Sequence, residues 1–239
     1  MNIISLLNGV SALCVMGFGV LFALICLHLY KKQKVVTFLS GILLGFAVAL
    51  GWTGISISFL SVVIYGYNLP WVKGVISYFS YSTVPLGSFA IVATSWNVAG
   101  SQKNKRKALA IVALYSALYY VILYSTFNQV VAYTPTPRGE LYDDWILSET
   151  LFFYILWGEV LIGAVVTAVG FWKFYEQSTG SLRRRSLWLL LSTGIVGSAI
   201  LLDTVIIGSL IALDSALFLV RFSMVLGLFL IYLGFQPSS

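Results

Sequence analysis

Residues 35–64 read VVTFLSGILLGFAVALGWTGISISFLSVVI, thirty consecutive positions without a charged side chain. Lys31, Lys32 and Lys34 precede the stretch, and the turn-forming residues Tyr65–Pro70 close it. A bilayer core of roughly 30 Å is crossed by about 20 apolar helical residues at 1.5 Å each. The stretch is therefore long enough to span a membrane, and its basic N-terminal flank marks the side on which it starts.

Working outward, seven such stretches follow one another, at about 4–30, 35–64, 72–98, 108–131, 145–172, 186–212 and 215–235. The composition agrees, being 59% hydrophobic and 9% charged with a mean hydropathy of +0.96. A soluble domain carries about 25% charged residues, so this chain has little material for a water-facing surface. No polar block is long enough to fold separately, and the expectation is a single domain over 1–239, all-α and embedded in the lipid bilayer. The first run of about 25 residues has no Lys or Arg ahead of it and is expected to remain as the first span rather than be removed as a signal peptide.

Basic residues alternate from loop to loop. The loops after spans one, three and five hold eleven of the 14 Lys and Arg, among them Lys103, Lys105, Arg106, Lys107, Lys173 and Arg183–Arg185. The loops after spans two and four hold only Lys73 and Arg138, and the latter loop is acidic through Glu140, Asp143, Asp144 and Glu149. By the positive-inside rule the N-terminus is outside and the C-terminus inside a multi-pass protein of the cell membrane. The net charge of +6 is thus explained by topology, with anionic lipid or an acidic cytoplasmic partner as further users of these loops and no role for nucleic acid. The outer segment 128–145, with Pro135 and Pro137, reads as a lid, a short hairpin or a plain connector.

Three ionisable residues fall inside spans: Glu159, Asp203 and Arg221. A charge at membrane depth costs a few kcal/mol and faces a partner or a wet cavity. Counting from the outer ends of spans five, six and seven, all three lie about 9–15 Å deep, so they are expected to form one cluster with Arg221 between two carboxylates. Trp52, Tyr78, Tyr81 and Trp157 lie at comparable depth. Pro85 should kink span three below its tyrosines and free a backbone carbonyl. These seven residues define either an outward-opening pocket or an ion-pair clasp surrounded by aromatic packing. His28 near the inner end of span one, without a second histidine, reads as interfacial packing, and Cys14 and Cys26, on one helix, cannot bridge each other.

Metal-ligand spacings, phosphate-cradling glycine loops and nucleophile–base constellations are missing from the sequence, so neither enzymatic activity nor a cofactor or metal is expected. Span two also echoes span six, Leu39–Gly45 against Leu191–Gly197, as in a three-one-three helix plan of parallel repeats. The same small residues read equally as close-packing positions, as in Gly41-x-x-x-Gly45.

Seven helices with the N-terminus outside resemble microbial rhodopsins, but span seven carries Arg221 and no lysine, so a retinal Schiff base is not available. The Ala/Gly-rich run Leu43–Trp52, then Trp71 followed by Tyr78, Tyr81 and Pro85, then Arg183–Arg185 leading into a Leu/Gly-rich span six, resemble the N-terminal seven-helix sensor region of membrane histidine kinases. That resemblance implies a receptor- or sensor-like protein that binds a small molecule from the outer side. Only four residues follow Phe235, where such relatives continue into an output region, so it also implies signalling through a separate partner. Two other plans stay open: a small-solute transporter similar in plan to SWEET-type sugar transporters, and a membrane scaffold or assembly subunit.

Overall fold

A computed structural model describes residues 3–69, 72–133, 141, 144–209 and 214–235. The first apolar run forms α1 (Ile3–Gln33). The thirty-residue stretch forms two helices, α2 (Val36–Gly51) and α3 (Thr53–Tyr65), bent by 47° at Trp52. The run expected to be a single span is thus divided at Trp52 into two helices that together are long and apolar enough to cross a membrane. Gly51 and Gly54 flank the break and weaken the helix. Thr53 hydrogen-bonds back to the Ala49 carbonyl at 2.9 Å, a bond that bends helices. Gly66, at φ +74°, then ends α3, in the left-handed conformation that glycine adopts without penalty.

The third run is broken too, into α4 (Val72–Ser82) and α5 (Val84–Val98), with Pro85 in the first turn of α5. Next come α6 (Gln102–Val130), a hairpin of β1 (Val131–Tyr133) and β2 (Asp144–Ile146), and then α7 (Leu151–Gln177), α8 (Gly180–Ser209) and α9 (Asp214–Phe235). Of the three alternatives for the outer segment, the hairpin is observed at its base, with Val131 opposite Ile146 and Tyr133 opposite Asp144. Trp145 is correspondingly in a strand, and span five begins at Leu151 rather than 145 because backbone pairing with β1 holds the preceding residues extended. Trp71, the Thr-Pro-Thr-Pro run, Arg138 and the end of span six at Ala212 lie outside the described residues.

Two of the basic loops are in fact helical. α6 begins at Gln102 and α8 at Gly180, so Lys103–Lys107 and Arg183–Arg185 occupy first turns of helices, where long cationic side chains reach outward from an apolar stem. Among the described residues five helices (α1, α6, α7, α8 and α9) are long and apolar enough to cross a membrane, and the bent pair α2–α3, taken as one span, makes a sixth. The protein is a multi-pass, all-α membrane protein.

The helices succeed one another round a ring: α1 packs on α2, α2 on α5, α5 on α7, α7 on α8, α8 on α9, and α9 on α1 again. α6 sits outside this ring in the angle between α5 and α7. Small residues set the tightest crossing. A Cβ on Gly45 would lie 2.6 Å from the Gly19 carbonyl oxygen, and one on Gly41 2.7 Å from Cys26 Sγ, so α2 meets α1 nearly backbone to backbone. Ser40 and Thr94 join α2 to α5 through a buried 2.8 Å hydrogen bond. On the far side, Tyr119, Leu123, Phe152, Leu156 and Ile146 form a second apolar core that fixes α6 and the hairpin to α7.

Candidate functional site

A cavity of about 260 Å³ lies inside the ring, bounded by α2–α3, α4–α5, α7, α8 and α9. Neither α1 nor α6 contributes to its wall. Both helix breaks open onto it. Trp52 and Thr83, the residues at the two breaks, line it, and a Cβ on Gly51 would sit 3.5 Å from Thr83 Oγ1, so the breaks face each other at one level. Small residues (Gly51, Gly87, Gly163 and Gly197) let the backbones close around the space without filling it.

The α4–α5 break is chemically complete. Proline has no N–H, so Pro85 cannot bond the carbonyl four residues earlier, that of Tyr81. Tyr119 of α6 donates its hydroxyl to that oxygen at 2.8 Å, and Tyr120 donates to the next carbonyl, Ser82 O, also at 2.8 Å. Two consecutive residues of the outer helix thus cap the broken one, as a low-dielectric interior requires. The carbonyl expected from the sequence is freed at this position, but its captor lies 38 residues on and gave no local signal.

The buried charges divide into two sites. Arg221 is fully buried on α9; its Nε donates to Asp203 Oδ1 of α8 at 3.3 Å, and its guanidinium lies 5.3 Å from the centre of the Trp52 ring. Asp203 and Trp52 both face the cavity, with Arg221 behind them. Glu159 does not join this pair. It is buried on α7 toward α6, where Ser116 Oγ donates to its Oε1 at 3.0 Å. The expected triad is therefore corrected to an Arg221–Asp203 pair and a separate carboxylate. The physical reason is azimuth: successive helical residues are turned about 100°, and Val160, next to Glu159, is the one that faces the cavity.

The aromatic candidates also divide. Tyr81 and Trp52 line the cavity. Tyr78 does not: it is exposed on α4 and packs on α6, with its ring 5.4 Å from Tyr124 and 5.0 Å from Phe127. Trp157 packs on Phe153 of its own helix, 5.5 Å between ring centres, and is likewise outside the cavity wall. The remaining wall is mostly aliphatic, including Leu44, Ile55, Val160, Ile200 and Met224, with Ser80, Ser88 and Thr193 adding hydroxyls. The sequence carried no sign of these last three, because hydroxyl residues are common on helix–helix contacts throughout the chain.

Chemically, the arrangement offers a mostly apolar volume, one carboxylate whose charge is shared with an arginine, and an aromatic face. It can hold a compact apolar molecule and orient it through one polar group. No family model matches the sequence, and no curated protein matches it. Fold and site together define the class as a polytopic helical membrane protein with an internal, ligand-sized cavity.

Proposed function

We propose that this protein is a receptor- or sensor-like seven-span membrane protein, N-terminus outside and C-terminus inside, that takes a small molecule into the central cavity and passes its state to a partner at the basic inner face. In this reading α4–α5, broken at Thr83, is the third span in chain order and completes the seven. The observation that carries the reading is the cavity, closed round by a ring of helices in sequence order with Asp203 and Trp52 in its wall. Its volume of about 260 Å³ is just under the roughly 300–1,000 Å³ of pockets for drug-sized ligands, so the ligand is smaller than those. The aliphatic wall selects an apolar body, and Asp203 selects a hydrogen-bond donor or a positive end.

The test is a ligand screen on the purified protein, following tryptophan fluorescence and thermal unfolding with small apolar amines and alcohols. Binding should quench or shift Trp52 emission and raise the unfolding temperature, and Asp203→Asn should abolish both effects. A set of such compounds that shifts the wild type and Asp203→Asn equally would remove the cavity from the reading.

A second reading, a small-solute transporter, is favoured by the two broken spans at the cavity, since discontinuous helices at a mid-membrane site are a transporter feature. Against it, the triplets of spans one to three and five to seven form open arcs: among the described residues α1 shares no substantial packing with α5, nor α7 with α9. Saturable uptake into proteoliposomes that disappears with Asp203→Asn decides for transport.

A further inference from the structure

Glu159 is a buried carboxylate that the cavity does not use. Its residue is 1% exposed, its Oε1 accepts from Ser116, and its Oε2 has no hydrogen-bond partner. From α5, the Ser88 hydroxyl also approaches the carboxylate as a donor, without a fully aligned bond. From α6, the hydroxyls of Tyr115, Tyr119 and Tyr120 also stand within reach, those of Tyr119 and Tyr120 being engaged by Tyr81 O and Ser82 O. Gly158, with no Cβ, lets the Tyr115 hydroxyl lie against α7 beside the carboxylate. Deep in α8 the charged residue is Asp203, and Arg221 is directed to it. No lysine, arginine or histidine among the described residues pairs with Glu159.

A carboxylate at membrane depth needs a positive partner or a full set of donors. Asp203 has the first. Glu159 has one aligned donor and a bare oxygen, and the groups around it are oxygens, which ligate small hard cations. Ser88 is shared: it stands beside Glu159 and also lines the cavity. We propose that Glu159, Ser116 and Ser88 form a site for one small monovalent cation, a proton or a sodium ion, separated from the central cavity by the Ser88 side chain. Occupancy of the two sites is linked through that serine, whichever molecule fills the cavity and whether the protein senses or transports.

The experiment uses the full chain in lipid nanodiscs, with dicyclohexylcarbodiimide as the carboxyl probe and peptide mass spectrometry as the readout. The reagent adds a carboxylic acid O–H across its N=C=N unit, the proton going to nitrogen and the carboxylate oxygen to carbon, with no leaving group. An adduct on Glu159 but not on Asp203, falling several-fold as pH rises and unmoved by sodium, identifies the occupant as a proton. Several-fold protection by sodium chloride but not choline chloride, with a higher unfolding temperature in sodium, identifies it as sodium. Glu159→Gln keeps an acceptor for Ser116 and is the folding control; it should erase the pH or sodium response of the unfolding temperature. The proposal is overturned by no adduct on Glu159 together with a Glu159→Gln protein whose unfolding temperature responds to pH and sodium as the wild type does. Because neither readout involves the cavity ligand, failure here leaves the receptor reading standing, and failure of that reading leaves this site standing.

Discussion

Tyr119→Phe isolates the capping of the broken helix. The substitution keeps the ring, which is fully buried and packs 5.1 Å from Phe152, and removes only the hydroxyl that donates to Tyr81 O. Depriving a buried carbonyl of a donor costs about 1–3 kcal/mol in soluble proteins. Interhelical hydrogen bonds in a membrane measure about 0.6 and at most about 1.7 kcal/mol, because the unfolded chain in lipid also finds partners. A loss of about 1 kcal/mol is therefore expected. The mechanism is tested by a cycle with Pro85→Ala. Alanine at 85 restores an N–H four residues after Tyr81, and the connecting residue Thr83 already has helical dihedrals of −88° and −12°. In that background the carbonyl has its own donor, so Tyr119→Phe should cost about half as much or less, a coupling of about 0.5 kcal/mol or more. Reversible unfolding by SDS in mixed micelles, followed by circular dichroism, measures all four corners. Strict additivity of the two substitutions would show that Pro85 is not the reason Tyr119 is there.

Other consequences follow the same geometry. Arg221→Met leaves Asp203 without its cation and should cost about 3–5 kcal/mol, whereas Arg221→Met with Asp203→Leu should cost clearly less than either single change in the same assay; a double mutant as unstable as the sum would deny the pair. Gly45→Ala drives a methyl against the Gly19 carbonyl at 2.6 Å and should destabilise by about 1–3 kcal/mol, while alanine at Gly194, with nothing within 4 Å, should be neutral or stabilising. For the orientation, Ser148→Cys in a background lacking Cys14 and Cys26 should react with an impermeant maleimide on intact cells, and Gln102→Cys only after permeabilisation; the reverse pattern would invert the topology.

The extents of α1, α6, α7, α8 and α9 were largely readable from uninterrupted apolar runs, because length and polarity alone decide whether a segment can lie in lipid. The break at Trp52 was not, since no proline or charge interrupts residues 35–64; it becomes intelligible only with Thr83 opposite Gly51. Pro85 advertised the other break through its missing N–H, but not the tyrosines that answer it. Depth along each span placed Glu159, Asp203 and Arg221 at one level, and depth is linear in residue number. Which way each side chain turns depends on packing against neighbours, so Arg221 and Asp203 met and Glu159 went to α6. Tyr78 and Trp157 failed as cavity residues for the same reason, being at the right height on the wrong side.

The first turns of α8 hold Arg183–Arg185, and the same unbroken helix carries Thr193 and Asp203 into the cavity wall. Nineteen residues separate Arg184 from Asp203, about 28 Å of continuous hydrogen-bonded rod. For a rigid rod of that length, a tilt of a few degrees about the Asp203 end moves the arginine end by about 2 Å. One cavity-lining helix thus carries three consecutive arginines toward one end and a cavity carboxylate toward the other.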